Sequence, residues 1–542
     1  MTRKSVMVHQ FSQVPQAEIP RSSFNRNHGY KTTLDSGYLV PFYVDEALPG
    51  DTFNLKANIF ARMATPIVPL MDNMFLETFF FAVPLRLIWS NFQKFMGEQE
   101  NPGDSTDYLC PQITAPSGGW QSQSLSDYFG LPIGVEGLKV NSFWHRAYNL
   151  IWNEWFRDEN LQDSVEVPKG DGPDADGTFK LLRRGKRHDY FTSALPWPQK
   201  GPGVELPLSG NASVWGSGPL RFTGKYLSNN SATGKYSFLS VLPGQDYQVR
   251  WSSSNAQPLN GDSSLWVIDS SFGQNSGLYA DLSNVTAVTI NSLRQAFQIQ
   301  KLYERDARGG TRYIEILRSH FGVTSPDARL QRPEYLGGSS SRVIINPVAQ
   351  TSSTDGTSPQ GNLSAFGLVA DSVHGFTKSF IEHCVIIGLV NIRADLTYQQ
   401  GINRMFSRRT REEFYWPVLA HLGEQAVLNE EIFAQGTGAD KEVFGYQERF
   451  AEYRYKPSLV TGKFRSQSKD MEGNSDTLDF WHLAQDFDSV PRLNAEFIED
   501  DPPVERVIAV SSEPQFLFDS YIQLNCVRPM PVYSVPGLVD HF

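Results

Sequence analysis

Residues 53–63 read FNLKANIFARM, an alternating pattern. Phe53, Leu55, Ala57, Ile59, Ala61 and Met63 share one side of an extended chain, while Asn54, Lys56, Asn58 and Arg62 share the other. That period of two predicts a strand with one face in a core and one toward water. The same period returns near the far end of the sequence, where 515–527 alternates through Phe516, Phe518, Ile522, Leu524 and Cys526. Strands so distant in sequence imply non-local pairing, as in a jelly roll, whose late strands lie beside early ones.

Between these two, residues 73–83 (NMFLETFFFAV, ended by Pro84) and 383–395 predict further buried strands. Residues 86–97 and 143–157 have helical spacing. In the second, Trp144, Tyr148, Ile151, Trp152 and Trp155 form a stripe that reads as core. Helical period also links Ile290, Leu293, Phe297 and Tyr303, with Ser292 and Gln295 as a capping box and the Arg308-Gly309-Gly310 run as a stop. A short helix follows through Tyr313, Leu317 and Phe321, and 410–434 reads as mixed, with a helix broken by Pro417. Residues 350–362 read as a mobile loop. From 198 to 288 Ser, Gly and Asn dominate, charges thin out, and short β-prone pieces such as YSFLSVL, YQVRW and SLWVI appear, which predicts a β-rich surface insertion.

The expected organisation is an N-terminal arm (1–50), a first part of the core with helical insertions (51–197), the insertion (198–288), a second part of the core with its own helical insertions (289–527), and an extended C-terminal arm (528–542). The N-terminal arm carries Arg3, Lys4, Arg21, Arg26 and Lys31, so it reads either as draped chain or as a segment touching DNA or a neighbour.

The chain has 542 residues and a net charge of −11, with 43 glycines, 33 prolines and 13% aromatics, a composition suited to many short strands joined by long ordered loops. Its three cysteines, Cys110, Cys384 and Cys526, show no disulfide framework, which fits a reducing cytoplasm. The start, MTRKSVMVHQFSQVPQ, has no apolar run long enough for a signal peptide, and no segment is long enough for membrane insertion. A protein coating DNA by bulk charge would be basic, so enclosing DNA here requires local basic patches, cations or a separate basic partner.

Signatures of catalysis are missing: no phosphate-binding glycine loop, no HExxH and no GxSxG. No cofactor is expected, and no metal. The acidic run at 171–177 (DGPDADG) lacks the carboxylate spacing of a calcium loop and reads as a solvated turn. The scattered histidines, His28, His145, His320 and His421 among them, read as hydrogen-bonded structural residues.

Two basic clusters remain. Arg183, Arg184, Lys186 and Arg187, followed by Tyr190 and Phe191, suit either a single-stranded DNA backbone or a neighbouring subunit. Arg404, Arg408, Arg409 and Arg411, interleaved with Phe406 and Phe414, favour subunit contacts. The C-terminal Pro529, Pro531, Tyr533, Pro536 and Phe542 suit docking across a neighbour, because proline lowers the entropy lost on ordering.

Several long stretches resemble the major capsid proteins of the microviruses, in particular the gokushovirus branch. They include RSSFNRNHGYKTT (21–33), DSGYLVPFYVDEALPGDTF (35–53), RGKRHDYFTSALPWPQKG (184–201), the run from 290 to 338, FYWPVLAHLGEQAVLNEEIF (414–433), FGYQERFAEYRYKPSLVTGKFR (444–465) and RPMPVYSVPGLVDHF (528–542). The resemblance implies a mainly β fold: a single eight-stranded viral jelly roll with large inserted loops, some helices and a β-rich protruding insertion. It implies self-association into pentamers and a T=1 icosahedral shell around circular single-stranded DNA. It also implies scaffolding proteins during assembly in the bacterial host cytoplasm, and a small basic DNA-binding partner that would supply the missing positive charge. The insertion would form a protrusion at each three-fold axis contacting a host cell-surface receptor, with Trp215, Tyr226, Tyr236, Trp251 and Trp266 as contact candidates. Two other readings remain open on the residues alone: a receptor-binding spike or minor coat component, and a carbohydrate-binding β-sandwich protein.

Overall fold

The computed structural model describes residues 20–204, 290–354 and 359–533, together with the backbone of five short strands between 213 and 281. Eight strands build the body: β1 (His28–Leu34), β2 (Val40–Ala47), β3 (Thr52–Met63), β4 (Met74–Pro84), β5 (Glu334–Arg342), β6 (Leu363–Ser379), β7 (Cys384–Ala394) and β8 (Phe516–Arg528). They form two antiparallel sheets, ordered β1–β8–β3–β6 and β2–β7–β4–β5. This is the eight-stranded jelly roll, mainly β as expected. The strand at 53–63 pairs directly with the last one, from Phe516 opposite Met63 to Val527 opposite Thr52. Two further pieces widen the first sheet: Ser22–Asn25 runs beside the end of β8, and Ile344–Ala349 pairs with the first half of β6.

Alternation in β3 places all six apolar residues, Phe53 to Met63, inward and at most 4% exposed. They meet the inward residues of the facing sheet, where the Phe42 ring stands edge-on to both Phe80 (5.5 Å) and Phe518 (5.6 Å). The second sheet is covered on its other side as well. Helix α1 (Phe143–Ile151), Trp89 and Trp120 pack there on Phe81, Val83, Val385, Ile387 and Leu389. Burial on both faces explains why β7 reads as a nearly unbroken apolar run. The tryptophan stripe is core as read, with Trp152 buried and Trp144 and Trp155 packed against the same cluster. The outward face of the first sheet has no such cover among the described residues, and β3 and β8 keep their alternate residues in solvent.

Several expectations change. Residues 20–50 are not an arm: β1 and β2 lie there, and Val40, Phe42 and Tyr43 are buried between the sheets. The helix expected over 86–97 is two single turns, Leu85–Ile88 and Phe92–Phe95, parted by the buried Trp89. Ser292 lies inside helix α2 (Ile290–Arg308), not at its cap, although the helix does end at the glycine pair. Residues 410–434 are mixed, as read, but their helical pieces are single turns. Thr410 and Pro417 start separate 3-10 turns, and Glu424–Leu428 is a strand. Within 350–362, residues 355–358 lie outside the described set.

The chain separates into two units, Met1–Lys200 with Glu304–Phe542, and Gly201–Tyr303. In the second, Phe222–Lys225 is flanked by Tyr236–Leu239 and Leu265–Val267, and Ser213–Gly216 pairs with Leu278–Asp281. No helix among the described residues is long and apolar enough to cross a membrane.

Candidate nucleic-acid and subunit interfaces

The strip Arg183–Arg187 is threaded between two parts of the first unit. Arg184 N–H donates to Gly37 O (2.8 Å), Lys186 N–H to Ile498 O (2.7 Å), and Asp500 N–H to Arg184 O (2.8 Å). This backbone clamp fixes where each side chain points. Arg184 and Arg393 both donate to Glu77, Arg393 at 2.8 Å, and Arg187 reaches Asp395 at 2.6 Å and Glu77 at 3.7 Å. Lys186 Nζ is buried and donates to Phe497 O (2.7 Å), while Arg183 pairs with Asp501 (2.8 Å). Each cation also lies on an aromatic face: Arg183 on Tyr38, Arg184 on Phe79, Lys186 on Phe497, Arg187 on Phe75.

The expectation of a cationic strip open to a DNA backbone does not match these partners. The three arginines are ion-paired inside the chain, Lys186 is held on a backbone carbonyl, and the strip lines a cavity of about 680 Å³ with Trp155, Tyr335, Arg312 and Glu315. Burial alone would raise the Glu77 carboxyl, but Arg184 and Arg393 outweigh it and hold it below its ordinary value. Asp500 behaves in the opposite way. It is 1% exposed, its Oδ2 has no hydrogen-bond partner among the described residues, and burial raises it to about 7 against the opposing pull of Arg393, Lys186 and Arg184. Burial and the neighbouring Arg393 lower Arg184 to about 10. Sequence reading missed Glu77. Its only signal was a lone carboxylate in the apolar run of β4.

The acidic run at 171–177 faces solvent for most of its length, as read, and its carboxylates also anchor it to the body. Asp171 accepts from Trp89 Nε1 (2.7 Å), Asp176 from Trp120 Nε1 (2.7 Å), and Asp174 takes both arms of the fully buried Arg146 (2.7 Å each). Among the described residues no group of three or more His, Cys, Asp and Glu could hold a metal ion. His145 is buried beside Ser126 Oγ (2.9 Å), and burial lowers it to about 4.

The second basic cluster divides. Arg404 pairs with Glu431 (2.9 Å) and Arg408 with Glu452 (3.0 Å), so these two hold the loop to its own body. Arg409 and Arg411 are exposed, with Arg411 over the Trp416 ring. Around them the loop leaves Met405, Phe406, Tyr415, Trp416, Val418 and Leu422 exposed, Phe406 by 76% and Val418 by 88%. Sequence reading registered this apolar surface through its arginines and through Phe406 and Phe414, and missed Met405, Tyr415, Trp416, Val418 and Leu422.

Of the remaining candidates, Arg21 donates to Gly50 O (2.5 Å) and Thr52, and Arg26 pairs with Asp45 (2.7 Å). Pro529 lies beside Gly50, and Pro531 and Tyr533 are exposed. Arg3, Lys4, Pro536, Phe542, Tyr226 and Trp251 lie outside the described residues. Trp215, Tyr236 and Trp266 lie on strands of the second unit.

Residues 12–538 match the family model described as capsid protein (F protein) of phages. The chain is 47% identical to capsid protein VP1 of Bdellovibrio phage phiMH2K, over 98% of each chain. It is 46% identical to capsid protein VP1 of Chlamydia phage 1, again over 98% of each. The capsid protein VP1 of Spiroplasma virus 4 is 37% identical over 99% of each.

Proposed function

The chain belongs to the phage capsid protein (F protein) family, a structural component of the virion that associates with its own copies, and we propose that those copies close by way of pentamers into a T=1 shell around circular single-stranded DNA. The end-to-end match to capsid proteins carries this reading. The loop at 405–422 supports it, since so many large apolar side chains left exposed in one short segment point to a protein contact. Arg409 and Arg411 would contribute charge at its rim, and Pro529, Pro531, Tyr533, Pro536 and Phe542 an arm laid over a neighbour. A T=1 lattice repeats a few such contacts, so modest interfaces add up to a durable particle.

Genome packaging by a chain of net charge −11 needs more positive charge than its local basic patches supply. We assign it to a small basic DNA-binding protein, with Arg3 and Lys4 of the N-terminal segment as further contacts. Scaffolding proteins would guide assembly in the host cytoplasm, which suits three free cysteines. The strands of residues 201–303 would contact a host surface receptor through Trp215, Tyr226, Tyr236, Trp251 and Trp266. Quantitative mass spectrometry of purified particles tests the coat assignment. The chain should be the most abundant protein by mass, and a few copies per particle would make it a spike or minor component instead.

A further inference from the structure

We propose that the outward face of the β1–β8–β3–β6 sheet binds single-stranded DNA, which makes it the face turned to the inside of the shell; this rests on the capsid reading above. The face spans four strands of the sheet. Along β3 it presents Lys56, Asn58, Phe60 and Arg62, spaced by about 7 Å. Opposite them β8 presents Gln523, Tyr521, Asp519 and Leu517. Phe60 sits across from Asp519 and Tyr521 across from Asn58, so the two rings are diagonal neighbours, within reach of one another. Both rings are about half exposed, at 49% and 47%.

The charges on this face differ from those of the rest of the chain. Its outward positions carry Lys31, Lys56 and Arg62 against one carboxylate, Asp519, in a protein of net charge −11. Asp519 is engaged by Lys31 at 3.5 Å. Lys56 and Arg62 have no ion pair or side-chain hydrogen bond among the described residues, unlike the Arg183–Arg187 strip. Unpaired cations flanking two exposed rings, with the Asn58 amide between them and those of Gln523, Asn54 and Asn525 beside and beyond Lys56, are the components that track a single-stranded backbone and stack its bases.

A second copy of the chain fits less well, because protein interfaces are depleted in lysine and want continuous apolar area. The chain's own first residues, with Arg3 and Lys4 against Glu18, are cationic and would be repelled.

The test uses the full-length chain and a fluorescent oligothymidylate, titrated at several salt concentrations. In Lys56→Gln/Arg62→Gln, the slope of log K against log salt should shrink by about 1.4, two phosphate contacts at about 0.7 each. In Phe60→Ala/Tyr521→Ala, affinity should fall about five- to a hundredfold with the slope unchanged. All four side chains are exposed, so melting temperatures should stay within a degree or two of the parent. Parental affinity and slope in both double variants would overturn the proposal. So would variants that lose shell assembly yet bind DNA normally, since the face would then be a contact between copies. If the variants form shells and also bind DNA like the parent, the capsid reading stands and only this inference falls.

Discussion

Glu77 shows how one side chain can hold a loop to a sheet. It stands on the outer side of β4, receives Arg184 and Arg393, and lies 3.7 Å from Arg187. Removing a carboxylate from such a buried cluster leaves guanidinium groups without compensation, which typically costs about 3–5 kcal/mol. Glu77→Gln should therefore lower the melting temperature by several degrees, and a calorimetric scan at neutral pH checks it. Asp500 should give a pH-dependent signature. Its carboxyl titrates near 7 when folded and near 3.9 when unfolded, so between those values the folded chain binds more protons. Its contribution to stability is then complete below about pH 4 and is lost as pH rises through 7. Asp500→Asn should gain stability relative to the parent as pH goes from 5 to 8, and an equal difference at both pH values would contradict this. None of this was legible in the sequence. The basic run was visible, but its carboxylate partners sit far away in the chain, and only the fold brings them to it.

Strands were legible where one face alone is buried. β3 and β8 have the cleanest alternation, and their register follows it residue by residue. β1, HGYKTTL, was not legible, because Lys31, Thr32 and Thr33 make sense only opposite Asp519, Phe518 and Leu517 of a strand from the other end of the chain. The 410–434 segment is mixed, as read: Pro417 and the Thr410–Glu413 cap confine its first half to 3-10 turns, and a strand and a single α-turn follow. Close strand crossing sets its own demands. A Cβ on Gly375 of β6 would fall 1.9 Å from Leu55 O, whereas Gly170 has open space around it. Gly375→Ala should give insoluble chain or a much lower melting temperature, and Gly170→Ala should resemble the parent. Equal behaviour of the two would mean that β6 does not lie so tightly against β3.

At the level of the whole chain, the jelly roll is complete at Arg528, and no strand lies beyond it among the described residues. A chain ended after Arg528 should therefore fold and stay soluble but fail to form shells, because the proline-rich arm would no longer cross to a neighbour. Sedimentation of that truncation checks it, and intact particles would assign the arm another role. Composition pointed to the β class and left local basic patches, cations or a partner as sources of positive charge, but interfaces are properties of the assembled lattice, and one chain's sequence shows only their raw materials. The experiment to make first is co-expression of the full-length chain with the phage's other proteins, followed by analytical ultracentrifugation and negative-stain electron microscopy of one fraction. The account predicts closed shells of uniform diameter built mainly from this chain. A chain that stays monomeric in that setting would contradict it.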